Sequence, residues 1–84
     1  MISVSIVSHA HGSMVTCLLE SVLACAEVGQ VLLTLNVRED LELPYDDRLH
    51  VIRNIKPKGF GENHNAAFLL CNQEYFCPLN PDIT

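Results

Sequence analysis

Two short apolar runs, "ISVSIVSH" at 2–9 and "QVLLTLNV" at 30–37, flank a segment whose apolar residues recur with a helical period. No other feature restricts the fold as tightly. The first run is short and rich in β-branched residues, which predicts a strand, and "AHGS" ends it with loop chemistry. Within 14–27, Val15, Leu18, Leu19, Val22, Cys25 and Ala26 fall at i, i+3, i+4, i+7, i+10 and i+11, the spacing of one buried helix face. Ser13 stands where an N-cap is expected and Gly29 where a helix C-terminal glycine is expected. The second run is nearly continuous in apolar residues, as in a parallel strand covered on both faces.

The remainder continues the alternation. Residues 38–49 are polar and acidic and predict a loop, with Leu41 and Leu43 tucked against the core. "HVIRN" (50–54) predicts a short third strand, "IKPKGFG" a turn, and a helix follows from about 61 to 72. "EYFCPLNPDIT" predicts a fourth strand running into an Asn-Pro-Asp segment. The order βαββαβ, with right-handed crossovers, predicts an α/β fold of three-layer type with a mainly parallel sheet.

With 84 residues the chain has room for one small domain at most. Its 49% hydrophobic and 18% charged content is apolar for that size, and implies an interior that expects further neighbours. The net charge of −5 and only five scattered Lys and Arg residues argue against nucleic acid as a partner. No apolar run approaches the ~20 residues of a membrane span, and "MISVSIVSHAHG" lacks a basic start and a cleavage site. A cytoplasmic location is the expectation. Cys17, Cys25, Cys71 and Cys77 show no CxxC spacing, so reduced, mostly buried thiols are expected.

In parallel α/β sheets ligands bind beyond the carboxyl ends of the strands, which brings "SHAHG", "LNVRED" and "LNPD" to one rim beside the "GFGENHN" helix. Gly59 and Gly61 predict a tight turn that lets a ligand approach the backbone. The dinucleotide fingerprint GxGxxG is absent, because His64 occupies the place of its last glycine. Asn65, on the second turn of the helix, offers both a donor and an acceptor. Phe60 reads as a core anchor and His64 as a partly exposed helix residue. His9 and His11 form an HxH pair that reads as polar loop rather than a metal chelate. Asp82 is the candidate metal anchor: a carboxylate at a strand end suffices for Mg2+ or Mn2+ when phosphate oxygens and waters complete the octahedron.

The ordered set of "VSIVSH", "VIRNIKPKGFGENHNAAF" and "LNPD" resembles the family-two nucleotide-sugar-dependent glycosyltransferases of the GT-A fold, rhamnosyltransferases in particular. The resemblance covers essentially all 84 residues. It implies that 1–84 is the N-terminal, nucleotide-sugar-binding half of a GT-A fold, cut short after the Asn-Pro-Asp segment. That half would take a nucleoside-diphosphate sugar through Ser8, His9, Asn36, Gly59, Gly61, Asn65 and Asn80, with Mg2+ or Mn2+ on Asp82. One departure is visible: Asn36, followed by "VRED", stands where many members carry an Asp-rich turn. The saccharide acceptor and the catalytic base would belong to a C-terminal half, so the chain by itself is expected to transfer no sugar. The competing expectation is a non-catalytic binding or assembly module. In either case a homo-oligomer is expected, since a terminal strand leaves sheet edge and apolar face uncovered.

Overall fold

A computed structural model describes residues 1–81, apart from the side chain of Phe60. The elements run β1 (Ile2–Ser8), α1 (Ser13–Leu23), β2 (Val28–Leu35), β3 (Leu49–Arg53), α2 (Phe60–Phe68) and β4 (Tyr75–Leu79). The four strands make one sheet, parallel throughout, in the order β3-β2-β1-β4. The α/β class and the βαββαβ order are therefore as the periodicity predicts. From β1 to β3 the chain steps one way across the sheet, and then it returns past β1 to β4. Right-handed crossovers in opposite directions place α1 and α2 on opposite faces.

The two faces differ in chemistry. On the α1 face Val4, Ile6, Val31, Leu33 and Leu35 pack with Val15, Leu19 and Val22 into the hydrophobic core. On the α2 face Ser3, Ser5, Gln30 and Thr34 are buried, and helix α2 meets Ser5 with His64. Ser3 Oγ donates to Gln30 Oε1 at 2.6 Å, and Gln30 Nε2 donates to the Leu70 carbonyl at 3.1 Å. Ser5 Oγ and His64 Nδ1 are hydrogen-bonded at 2.8 Å. Buried polar groups cost little once paired, so α2 and the residues just after it are seated by hydrogen bonds as well as by apolar contact, with Thr34 Oγ1 left without a partner among the described residues.

Several local expectations are corrected. Helix α1 stops at Leu23, not at 27, and Cys25 and Ala26 are exposed rather than on a buried face. Arg48 supplies the reason. Its guanidinium donates to the carbonyl of Leu23, which a longer helix would have bonded internally, and to those of Cys25 (3.3 Å) in the turn that follows and Val28 (3.0 Å) at the start of β2. Asp46 holds it there at 2.9 Å, and the hydrogen bond from Arg48 keeps the Asp46 carboxyl at a pKa of about 2. Gly12 rather than Ser13 is the N-cap of α1, with φ 59 and no side-chain cap. Gly29 lies inside β2 rather than at a helix end, and a Cβ there would stand 2.8 Å from Gln73 Cδ, the end of a side chain free to move aside. The four cysteines are free, but Cys17 and Cys25 are exposed and Cys71 and Cys77 half-buried, so none is a buried core thiol.

His64 is buried, only 6% exposed, where a partly exposed helix residue was expected. Burial lowers its pKa below the ordinary 6.5. Above that value the imidazole is neutral in folded and unfolded chains alike. Below it the unfolded chain takes up the proton more readily, so stability is lost as pH falls. The urea midpoint is expected to drop between about pH 7 and about pH 5, and His64→Gln should flatten that slope. An unchanged slope in the variant would show that another group carries the pH dependence.

Candidate functional site

The loops at the carboxyl ends of β1, β2 and β4 enclose a cleft of about 300 Å³ against the start of α2. Val7, His9 and His11 line it from β1 and its loop, Asn36 from β2, Asn80 from β4, and Lys58 and Asn63 from the α2 side. Since β2 and β4 flank β1 and are reached by crossovers on opposite faces, this is the topological switch point of the sheet. The strand ladder itself brings the loops together. Asn36 N–H donates to the Ser8 carbonyl at 2.8 Å and Asn54 N–H to the Leu35 carbonyl at 3.1 Å, extending both pairings beyond the strands.

Asn36 organises the cleft. It is 5% exposed, and its side chain grips the backbone of Lys58 on both sides: Oδ1 accepts from Lys58 N–H at 2.7 Å and Nδ2 donates to the Lys58 carbonyl at 2.9 Å. Asn54 Nδ2 bridges Asn36 Oδ1 at 2.9 Å and Asn63 Oδ1 at 2.7 Å. Three asparagines thus tie the ends of β2 and β3 to the first turn of α2. Asn36 fits this place because an amide, unlike an aspartate, can donate and accept at once.

The same bonds set the histidine tautomers. Lys58 N–H can only donate, so the Asn36 atom it meets is the oxygen and Nδ2 is the donor. Asn36 Nδ2 stands 3.0 Å from His9 Nδ1, which must therefore accept. His11 Nδ1 accepts in turn from His9 N–H at 3.0 Å. Each neutral imidazole is left with Nε2–H as its donor. Together with the Lys58 ammonium, the cleft is rich in donors and suited to oxyanions.

The β1–α1 loop is held in an uncommon conformation. Ala10 has φ 61 and Gly12 φ 59. A left-handed alanine costs about 1–2 kcal/mol, so other contacts must offset it. The Ser8 hydroxyl donates to one oxygen of Glu39, whose other oxygen accepts from Gly12 N–H at 3.4 Å, and His11 N–H reaches Ser8 Oγ at 3.4 Å.

Of the residues expected at the site, His9, Asn36 and Asn80 meet in the cleft. Ser8 is buried and braces the loop through Glu39. Asn65 is exposed and outside the cleft lining, and its neighbour two positions earlier, Asn63, takes that place. Gly59 and Gly61 are exposed at the start of α2, where a Cβ on either would meet nothing within 4 Å. Gly59 has φ −69, so the turn does not demand glycine. Asp82 lies outside the described residues. Among those described, no group of three or more His, Cys, Asp or Glu is arranged to hold a metal ion. Lys58, Asn54 and Asn63 escaped the sequence reading. A cation directly before the helix start was the available signal for Lys58, and nothing in spacing alone marked the two asparagines.

No family model matches the chain, and no curated protein or solved structure matches it. The likeness to the glycosyltransferases therefore rests on the quoted residues alone. Among the described residues no helix is long and apolar enough to cross a membrane.

Proposed function

We propose that the chain binds a nucleoside-diphosphate sugar in the cleft at the carboxyl ends of β1, β2 and β4, as the donor-recognition part of a GT-A-type glycosyltransferase. The observation that carries this reading is the convergence of Lys58, two imidazole Nε2–H donors and the amides of Asn63 and Asn80 on the switch point of a parallel sheet. A diphosphate presents the oxyanions such donors pair with, and the ribose hydroxyls suit the amides. Asn36 acts on the ligand mainly through Lys58 and His9, whose positions it fixes. A divalent cation, Mg2+ or Mn2+, would rest on Asp82 and the diphosphate oxygens and would stabilise the charge of the leaving group. The described lining holds no carboxylate for it. Sugar transfer to a saccharide also needs a base beside the acceptor hydroxyl, and no described residue is assigned that task.

Calorimetry with uridine and thymidine diphosphates, with and without Mn2+, tests the reading. Lys58→Ala is expected to weaken binding about tenfold, the scale of one charge-assisted contact. Asp82→Ala should remove the metal dependence, while Glu74→Ala, on an exposed turn away from the cleft, should bind as the parent does. Equal binding by the parent and Lys58→Ala overturns it.

A second reading, an assembly module that pairs with another copy, draws on the exposed Phe68, Leu69, Leu70 and Tyr75 around the end of α2 and the start of β4. Flat nucleotide titrations together with a dimer by sedimentation would favour it over donor binding.

A further inference from the structure

A second and larger cleft, of about 530 Å³, lies at the carboxyl ends of β2 and β3. It shares no lining residue with the donor cleft. The two open on opposite sides of the sheet rim. Leu35, Leu41 and Leu43 belong to the α1 face, whereas Val7 of the donor cleft follows Ser3 and Ser5 on the α2 face. Asn54 forms the partition, lining the larger cleft while its amide is bonded to Asn36 and Asn63. Volumes of 300–1,000 Å³ are typical of small-molecule sites.

Half of the lining is apolar: Leu35 is buried, Val37, Leu41 and Leu43 are half-buried, and Ile55 is fully exposed at the rim. Two cations border it. Arg53 ends β3 in register with Leu35, and Arg38 lies three residues beyond Leu35 on the loop that follows β2. Both side chains are without a hydrogen bond or ion pair among the described residues. Of the two acidic residues in the lining, Glu39 has both carboxylate oxygens engaged, by Ser8 and Gly12 N–H. Asp40 is exposed, so the two arginines are balanced in formal charge by two carboxylates, and the guanidinium groups are the hydrogen-bond donors of the lining left without a partner among the described residues. Unpaired guanidinium groups next to partly buried aliphatic side chains match a planar oxyanion carried on an apolar body.

We infer that this cleft binds an organic carboxylate with an apolar body, its carboxylate paired with Arg38 and Arg53 and its hydrocarbon laid on Leu41 and Leu43. This site does not rest on the donor reading, because the two clefts share no lining residue; Asn54 and Glu39, which braces the β1–α1 loop, connect them. The test is calorimetric titration of the whole chain with octanoate and, separately, octanol. Octanoate is expected to bind at least about tenfold more tightly than octanol, the scale of one good charged contact. Arg38→Gln/Arg53→Gln should lose that difference while keeping the parent's circular dichroism, since both side chains are solvent-exposed. Asn80→Ala, in the donor cleft, should leave octanoate binding unchanged, and a nucleotide titration on the same samples keeps the two sites distinguishable. Equal binding of octanoate and octanol, no heat from octanoate, or parent-like octanoate binding by the double variant overturns the assignment.

Discussion

Asn36→Ala is expected to lower the stability of the folded chain by about 2–4 kcal/mol and to remove nucleotide binding at the same time. Its buried amide makes four side-chain hydrogen bonds, to Lys58 N–H, the Lys58 carbonyl, Asn54 and His9. Truncation leaves Lys58 N–H without its side-chain partner, the Lys58 carbonyl with Asn63 Nδ2 alone at 3.3 Å, and Asn54 short of one, and each buried group so abandoned costs roughly 1–3 kcal/mol before local relaxation. Loss of binding follows because Lys58 and His9 no longer have fixed positions. Asn36→Asp separates the two effects. It keeps an acceptor for Lys58 N–H but cannot donate to the Lys58 carbonyl or to His9, and it adds a negative charge where an oxyanion would bind. Its stability loss should be the smaller of the two, with binding still abolished. Urea denaturation and nucleotide calorimetry on both variants check this; parent-like stability of Asn36→Ala would remove Asn36 from the centre of the cleft.

Leu19→Ala is expected to cost about 2–5 kcal/mol, the range for deleting a fully buried leucine side chain. Leu19 is fully buried among Val4, Ile6, Val31 and Leu33, the apolar layer under α1. Proteins this small rarely hold stability far in excess of that amount. Leu18, one position earlier, is only half-buried, and Leu18→Ala should cost below about 2 kcal/mol in proportion to the area it removes from solvent. Chemical denaturation of the pair decides the point, and an equal or reversed order would show that α1 is rotated about its axis relative to the arrangement described.

The periodicity of the sequence was enough for the type and order of every element, and the rule for parallel sheets was enough to locate a cleft at the carboxyl rim. The helix of 14–27 shows where periodicity misleads. Cys25 and Ala26 keep the spacing of a buried stripe, yet Arg48, more than twenty positions away, takes over the carbonyls at the end of α1 and stops the helix at Leu23. A long-range hydrogen bond of this kind leaves no trace in local spacing. Asn63 and Asn65 make the same point within the site. Both read as polar residues at a helix start, and only the docking angle of α2 on Ser5 decides that residues 63, 64 and 67 turn inward while Asn65 faces solvent.

What the sequence determined by itself is therefore the part of the structure governed by near neighbours: the strand and helix alternation, the parallel sheet that such alternation requires, and the apolar face of α1. Hydrophobic burial is non-directional and periodic, so it can be read along one dimension. The tertiary structure alone decided the polar face under α2, the asparagine triad around Lys58, the histidine tautomers and the separation of two clefts by Asn54. Those features depend on hydrogen bonds, which are directional and short, between residues up to 59 positions apart in the chain.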